Sequence, residues 1–330
     1  SILLIKNLSR INYDFKILIF THKGELAKYL ISKKIPFQSL NLKNGKLNTG
    51  VLFFYLVRNL KIILEIIKKN DIKIIHTNDL RMHYLWSILS FFINRKHIWH
   101  QHSAILSRKT KLLSKLSSQL VTISNFAKKS FHNSMSKRAI IIGNPFEYPK
   151  KNFKPKKKIK NRILYIGNNN NQKRSIFFIK LAKNLALKKK KYEFHMIGNF
   201  NFEKEILHQF SKINIYVHAK SFDLSHFFIN SDILVAPSIN EGFGRTLIEA
   251  MFHKVLVIAS NSGAHSEILK DGVTGRLVKT DSLDDFKKVI EEVYDNKMSD
   301  LIISNAYTTS RKKYNISKYM KKVKNIYEKI

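Results

Sequence analysis

The chain has 330 residues, enough for two domains of ordinary size, each with its own core. It contains no cysteine, which excludes disulfide frames, thiolate chemistry and cysteine-built zinc sites. The formal net charge is +37, and the excess is uneven: residues 1–160 hold 32 Lys and Arg against 6 Asp and Glu, residues 161–330 hold 28 against 17. A surface this positive attracts an anionic partner. No zinc-finger spacing and no aromatic RNP pattern is present, so nucleic acid is set aside and an anionic membrane surface is the expected partner. No apolar run of about 18 residues is free of charge, so no membrane span is expected.

In chain order, Ser1–Arg10 reads as a helix, Phe15–Thr21 as a strand, Gly24–Lys33 as a helix and Phe37–Leu40 as a short strand. Helix Val51–Lys69, strand Ile72–His76 and helix Arg81–Ile93 follow. The last is apolar enough to lie on a membrane, but a core helix is the simpler reading. Strand His97–His102 places His100 and His102 on one face by alternation. With His97 they hint at a metal, yet no further ligand is spaced to complete a site, so no metal is expected there. A basic helix (Arg108–Lys115), a strand (Gln119–Ser124) and a helix from Asn125 lead to Tyr148–Lys160, whose two prolines and seven lysines read as a linker.

The second half alternates regularly. Strands are expected at Ile163–Gly167, Tyr192–Gly198, Ile213–His218, Asp232–Pro237 and Val255–Ser260. Helices are expected up to about Lys189, then at Leu224–Asn230, Arg245–His253, Ser282–Tyr294 and Ile316–Ile330. Such alternation defines an α/β fold with parallel sheets.

The stretch that points to chemistry is Pro237–Glu249, an apolar strand end, a glycine turn and a helix N-terminus. A turn of this kind directs unpaired N–H groups outward, with the positive end of the helix dipole behind them. That favours an anion or a polyol. Glu241 on the loop and Glu249 in the helix are acceptors for vicinal hydroxyls. A ligand that is part phosphate and part sugar fits both features.

The block Pro237-Ser-Ile-Asn-Glu241-Gly-Phe-Gly-Arg-Thr-Leu-Ile-Glu249-Ala-Met resembles the Glu-x7-Glu signature of retaining glycosyltransferases of the GT-B fold, specifically the large family 4. The resemblance covers essentially the whole chain and is most specific after Ile163. It implies two Rossmann-like domains facing across a cleft. The acceptor-side domain would span 1–150, a linker 151–160, the nucleotide-sugar domain 161–310, and a helix over 311–330 would cross back to the first domain. Family members open with a strand and a glycine-rich loop that this sequence lacks. The first strand of the N-terminal domain is therefore expected to be missing, and the chain reads as an incomplete piece of a longer protein.

The same resemblance assigns the site residues. The segments around Asp71 to Asn78, Val121 to Asn125 and Ile140 to Pro145 look like family landmarks of the first domain. His102 is the candidate for the family histidine that touches the donor sugar, with His100 as runner-up. Gly167 opens the first turn of the second domain. Asn168 stands where the family has a diphosphate-binding Arg, Lys173 matches the family Lys, and Arg174 replaces a Gly. Arg174, one residue along, or Arg245 in the glycine turn, is expected to supply the lost positive charge. Gly242, Phe243, Gly244 and Arg245 would line the donor, Glu241 would hold donor-sugar hydroxyls and Glu249 the ribose. Asn261 to Ile268 is similar to a Gly-Gly-x-Pro-Glu turn with Ala264 for the second Gly, and its methyl is expected to narrow the pocket.

The implied reaction moves a sugar from a UDP- or GDP-linked donor to a glycan or lipid-linked hydroxyl acceptor, with retention and without a cofactor. No Asp-x-Asp triplet occurs, so no metal bridge to the diphosphate is expected. The implied setting is cytoplasmic, peripheral on the inner face of the membrane. A catalytically inactive glycosyltransferase-like binding subunit, a nucleotide-sugar epimerase and an anion-binding scaffold stay open as alternatives.

Overall fold

The computed structural model describes residues 2–8, 17–21, 24–39, 49–105, 107–147, 161–187, 192–202, 213–221, 223–295 and 298–330. The expected linker at 151–160 and the start of the strand expected from Phe15 lie outside them. The chain divides into two compact units. One comprises Ser1–Ile123, Ala127–Glu147 and Ile316–Ile330; the other comprises Ser124–Phe126 and Tyr148–Asn315.

In the first unit, β1 (Phe20–Thr21) and β2 (Gln38–Ser39) form a parallel pair of their own. The main sheet has β3 (Ile74–Thr77), β4 (Lys96–Gln101), β5 (Gln119–Thr122) and β6 (Ile140–Ile141) side by side in chain order, all parallel. Parallel strands need crossovers, and helix Leu80–Phe92 supplies the one between β3 and β4. Asp79 caps it, its carboxylate accepting from the Arg81 N–H at 3.0 Å. This helix buries Leu85 and Leu89 against Ile63, Ile67 and Ile75, so it is a core helix, as its pattern suggested.

The period-2 alternation of β4 sorts its residues between two cores. Trp99 packs with Leu120, Phe131 and Met135 on one face. Ile98 packs with Val121 and with Tyr319, Met320, Val323 and Ile326 on the other. Those four come from the C-terminal helix Ile316–Lys329, which therefore completes the core of the first unit.

The second unit holds one six-stranded parallel sheet: β7 (Arg162–Ile166), β8 (Glu193–Ile197), β9 (Ile215–His218), β10 (Ile233–Ala236), β11 (Leu256–Ser260) and β12 (Arg276–Val278). The spatial order is β12-β11-β10-β7-β8-β9. The chain builds outward from β7 in one direction, then returns and builds from β10 in the other. The connections after β7 and β10 therefore run on toward opposite edges of the sheet, and such a switch point is where open parallel sheets bind ligands. The four inner strands are mainly buried, as a sheet covered on both faces requires, whereas the edge strand β9 leaves Tyr216 and Val217 exposed. Phe178, Leu181, Phe194, Ile233, Ile258, Phe286 and Ile290 fill one continuous core.

Helix Met298–Lys313 was not anticipated from the sequence. Its Ser, Thr and Asn content weakens helix propensity, and burial of Ile302 and Ala306 supplies what propensity does not. Among the described residues, no helix is long and apolar enough to cross a membrane.

Candidate functional site

Two loops at the switch point of the second unit are joined directly. The Ile239 N–H donates to the Gln172 carbonyl at 2.9 Å, and the Gln172 side-chain amide donates to the Asn240 carbonyl at 3.0 Å. Across this seam Lys173 Nζ meets Glu241 Oε2 at 2.5 Å, with side-chain exposures of 26% and 17%. The sequence-derived candidates Lys173 and Glu241 are thus one ion pair.

Each partner is held by its own loop. The Lys173 N–H donates to Asn170 Oδ1 at 2.8 Å, and the Tyr165 hydroxyl donates to the Lys173 carbonyl at 3.0 Å. Glu241 is fixed by a third loop: the Ala264 N–H donates to the Glu241 carbonyl at 2.9 Å, and the Asn240 N–H donates to Ser262 Oγ at 3.1 Å. That approach explains Gly263, whose φ is +63° and where an added Cβ would lie 2.4 Å from the Glu241 nitrogen. Ala264 is fully buried. His265, also fully buried, donates from Nδ1 to the Ser260 carbonyl at 2.9 Å and anchors the loop base.

The glycine turn ends at Gly244, in the left-handed region at φ 84°, and helix Arg245–Phe252 follows. Gly242, Phe243 and Gly244 are buried, with the Phe243 ring edge-on to Tyr314. One turn into the helix, Arg245 and Glu249 pair at 3.3 Å. Burial raises the Glu249 pKa above the usual carboxylate range, and Arg245 partly offsets the shift.

Gly167 passes under Tyr165 and close to the Gly198 backbone; a Cβ on Gly198 would lie 2.1 Å from the Gly167 carbonyl oxygen. Asn168 accepts from the Asn199 N–H at 3.1 Å and ties the first turn to the loop after β8. Arg174 sits elsewhere. It begins helix Ser175–Ala186 at φ 60°, ion-pairs with Asp281 and lies 4.3 Å over the Phe177 ring. The Lys173 position is thus separated from the guanidinium expected to assist it. Arg245 is likewise turned onto Glu249.

The sequence did not reveal the cavity beside this site. It has a volume of about 590 Å³ and is lined by Asn169, Gly198, Asn199, Phe200, Asn201, Val217, His218 and Ala219, at the C-terminal edges of β8 and β9. The available signal was the strand end Met196-Ile197-Gly198 followed by Asn-Phe-Asn.

In the first unit, His102 follows β4 and its Nε2 bonds Asn78 Oδ1 at 3.0 Å. His100 and His102 share a face and stack at 4.3 Å between ring centroids, as the alternation predicts. His97 lies on the opposite face, bonded to Thr77 and Ser117 at 2.9 and 3.0 Å. Burial lowers His76 to about 4 and His97 to about 3, and holds His83 and His100 well below the ordinary 6.5. These rings stay neutral in the folded chain, whereas the unfolded chain protonates them near 6.5. Their contribution is complete above pH 6.5 and is lost as the pH falls through their lowered values, about 4 for His76 and about 3 for His97. Thermal melts should therefore drop steeply below pH 6.5. A flat melting temperature down to about pH 4 would contradict this assignment.

Residues 147–309 match the family model described as glycosyl transferases group 1. With the two Rossmann-like sheets, this supports a glycosyltransferase of the GT-B fold. Among individual proteins, an uncharacterized glycosyltransferase, MJ1178, of Methanocaldococcus jannaschii is 26% identical over 296 residues, 84% of this chain and 81% of that one. The capsular polysaccharide biosynthesis glycosyltransferase CapH of Staphylococcus aureus is 28% identical over 232 residues, 62% of this chain and 64% of its own length. Other curated relatives align over as little as 36% and 16% of theirs. The crystal structure of Anabaena Alr3699/HepE in complex with UDP and glucose superposes with a TM-score of 0.80 at 16% identity, covering 100% of this chain and 95% of that one.

Proposed function

We propose that the protein is a family 4 enzyme that transfers a sugar, with retention, from a UDP- or GDP-linked donor to a hydroxyl acceptor in the synthesis of a cell-surface polysaccharide or lipid-linked glycan. The observation that carries this reading is the Lys173–Glu241 pair at the switch point, placed by three interlocked loops. Support comes from CapH, named for capsular polysaccharide biosynthesis, and from HepE, crystallised with UDP and glucose.

In this mechanism an incoming diphosphate draws the Lys173 ammonium away from Glu241. The carboxylate is then released to accept from donor-sugar hydroxyls, while Glu249 accepts from the ribose. Negative charge grows on the departing diphosphate as the glycosidic bond breaks. A lysine moved onto it therefore acts most strongly in the transition state. The leaving phosphate oxygen takes the acceptor proton as the new bond forms on the same face. In this reading His102 is the family histidine that touches the donor sugar, and the basic first half works at an anionic membrane surface.

Arg174, tied to Asp281, favours a second reading, a glycosyltransferase-like binding subunit without turnover. One experiment separates the two. A thermal-shift panel of UDP-, GDP- and ADP-sugars, run with EDTA, is followed by assay of donor turnover. The proposal expects stabilisation by one donor class and turnover that persists in EDTA. Stabilisation without turnover supports the binding subunit, turnover restored only by added manganese removes the metal-free mechanism, and no stabilisation by any donor refutes both readings.

A further inference from the structure

The histidines of the first unit form a connected chain that ends on the C-terminal helix. The Tyr327 hydroxyl lies 2.6 Å from His76 Nδ1. His76 Nε2 lies 3.2 Å from His100 Nδ1. His100 in turn stacks on His102 at 4.3 Å, with 24° between the ring planes. His76 and His100 are neutral, so each carries one N–H donor and one bare acceptor nitrogen.

That constraint couples the links. If the Tyr327 hydroxyl donates to His76 Nδ1, the His76 proton is on Nε2 and is donated to His100 Nδ1. The proton of His100 then resides on its Nε2. If His76 Nδ1 donates to the Tyr327 oxygen instead, every link reverses and His100 Nε2 becomes an acceptor. His100 Nε2 is buried and has no hydrogen-bond partner among the described residues. No bond at that end biases the tautomer, so the direction taken by the Tyr327 hydroxyl, as donor or acceptor, sets the tautomer of both rings.

We propose that Tyr327 is a positioning residue of the His102 site, acting through His76 to fix the tautomer of His100, the ring on which His102 is stacked. The inference rests on the glycosyltransferase reading for its catalytic consequence, but not for the chain itself. It gives the C-terminal helix a second task beside closing the core with Tyr319, Met320, Val323 and Ile326.

The test uses the full chain labelled with 15N-histidine. Long-range NMR of the imidazoles should show His76 and His100 each in a single neutral tautomer at neutral pH. Tyr327→Phe, which keeps the ring and its packing, should turn the His100 pattern into an average or its opposite. The same variant should lower kcat roughly three- to tenfold, the size of one hydrogen bond, with KM for the donor changed less than about twofold. His100→Phe keeps a ring for His102 to stack on but cuts the chain, and in that background Tyr327→Phe should have no further effect on kcat. An unchanged His100 pattern in Tyr327→Phe overturns the proposal, and so does an equal kcat loss in both backgrounds. If the wild-type chain transfers no sugar, the glycosyltransferase reading fails and the NMR pattern alone decides whether the chain operates.

Discussion

Glu249→Ala should weaken nucleotide-sugar binding by roughly a hundredfold or more, the size of two hydrogen bonds to a charged acceptor. The fold should barely notice. Among the described residues Glu249 pairs with Arg245 one turn away, at 3.3 Å, and Arg245 is half exposed. An exposed pair of this spacing is worth about 0.3–0.5 kcal/mol. The partly buried carboxylate is itself a mild burden, since burial raises its pKa. Binding should also weaken on acidification earlier than an ordinary carboxylate would dictate, because the acceptor is protonated at higher pH. Calorimetric titration of the donor checks both points. Wild-type affinity in the variant would remove Glu249 from the site.

The second large effect is expected at Gly263. Its φ of +63° disfavours any L side chain, and a Cβ there would lie 2.4 Å from the Glu241 nitrogen and 2.6 Å from the Glu241 oxygen. Both are backbone atoms of a loop already tied at Asn240 and Ala264, so neither moves cheaply. Gly263→Val should cost about 2–4 kcal/mol in denaturant unfolding, from left-handed strain and overpacking together. It should also separate Glu241 from Lys173 and abolish turnover. Gly272→Ala is the control. Its φ is +70° but nothing lies within 4 Å of an added Cβ, so only the strain of about 1–2 kcal/mol applies, with activity retained. Equal costs at the two positions would show that Gly263 is set by backbone conformation alone and not by the approach to Glu241.

Much of the second unit was legible because its signals are local. Apolar runs such as Ile233–Ala236 and Leu256–Ser260 can only be buried strands, and Gly244 falls where a left-handed residue ends the turn. The pairing of Lys173 with Glu241 was not legible, since it joins residues 68 positions apart through two loops whose meeting depends on strand order. Arg174 is instructive in a different way. The sequence marked it as a replacement for a family glycine, and the structure gives the reason that position favours glycine, a φ of 60°. The guanidinium is then occupied by Asp281 and Phe177, which fix the strained turn. A spare charge inferred by counting along the chain was already committed in space. In the first unit, alternation placed His100 and His102 on one face, but the bond from His76 to Tyr327 spans 251 positions and needs the C-terminal helix in place.

The most direct test of the central claim is hydrogen–deuterium exchange with and without a UDP-sugar, or a GDP-sugar if that class binds. The account predicts slowed exchange at the amides of Ile239 to Leu247 and of Asn168 to Ser175, the two loops that carry Glu241 and Lys173. Donor binding that slows exchange elsewhere while both loops exchange as in the free chain would contradict it.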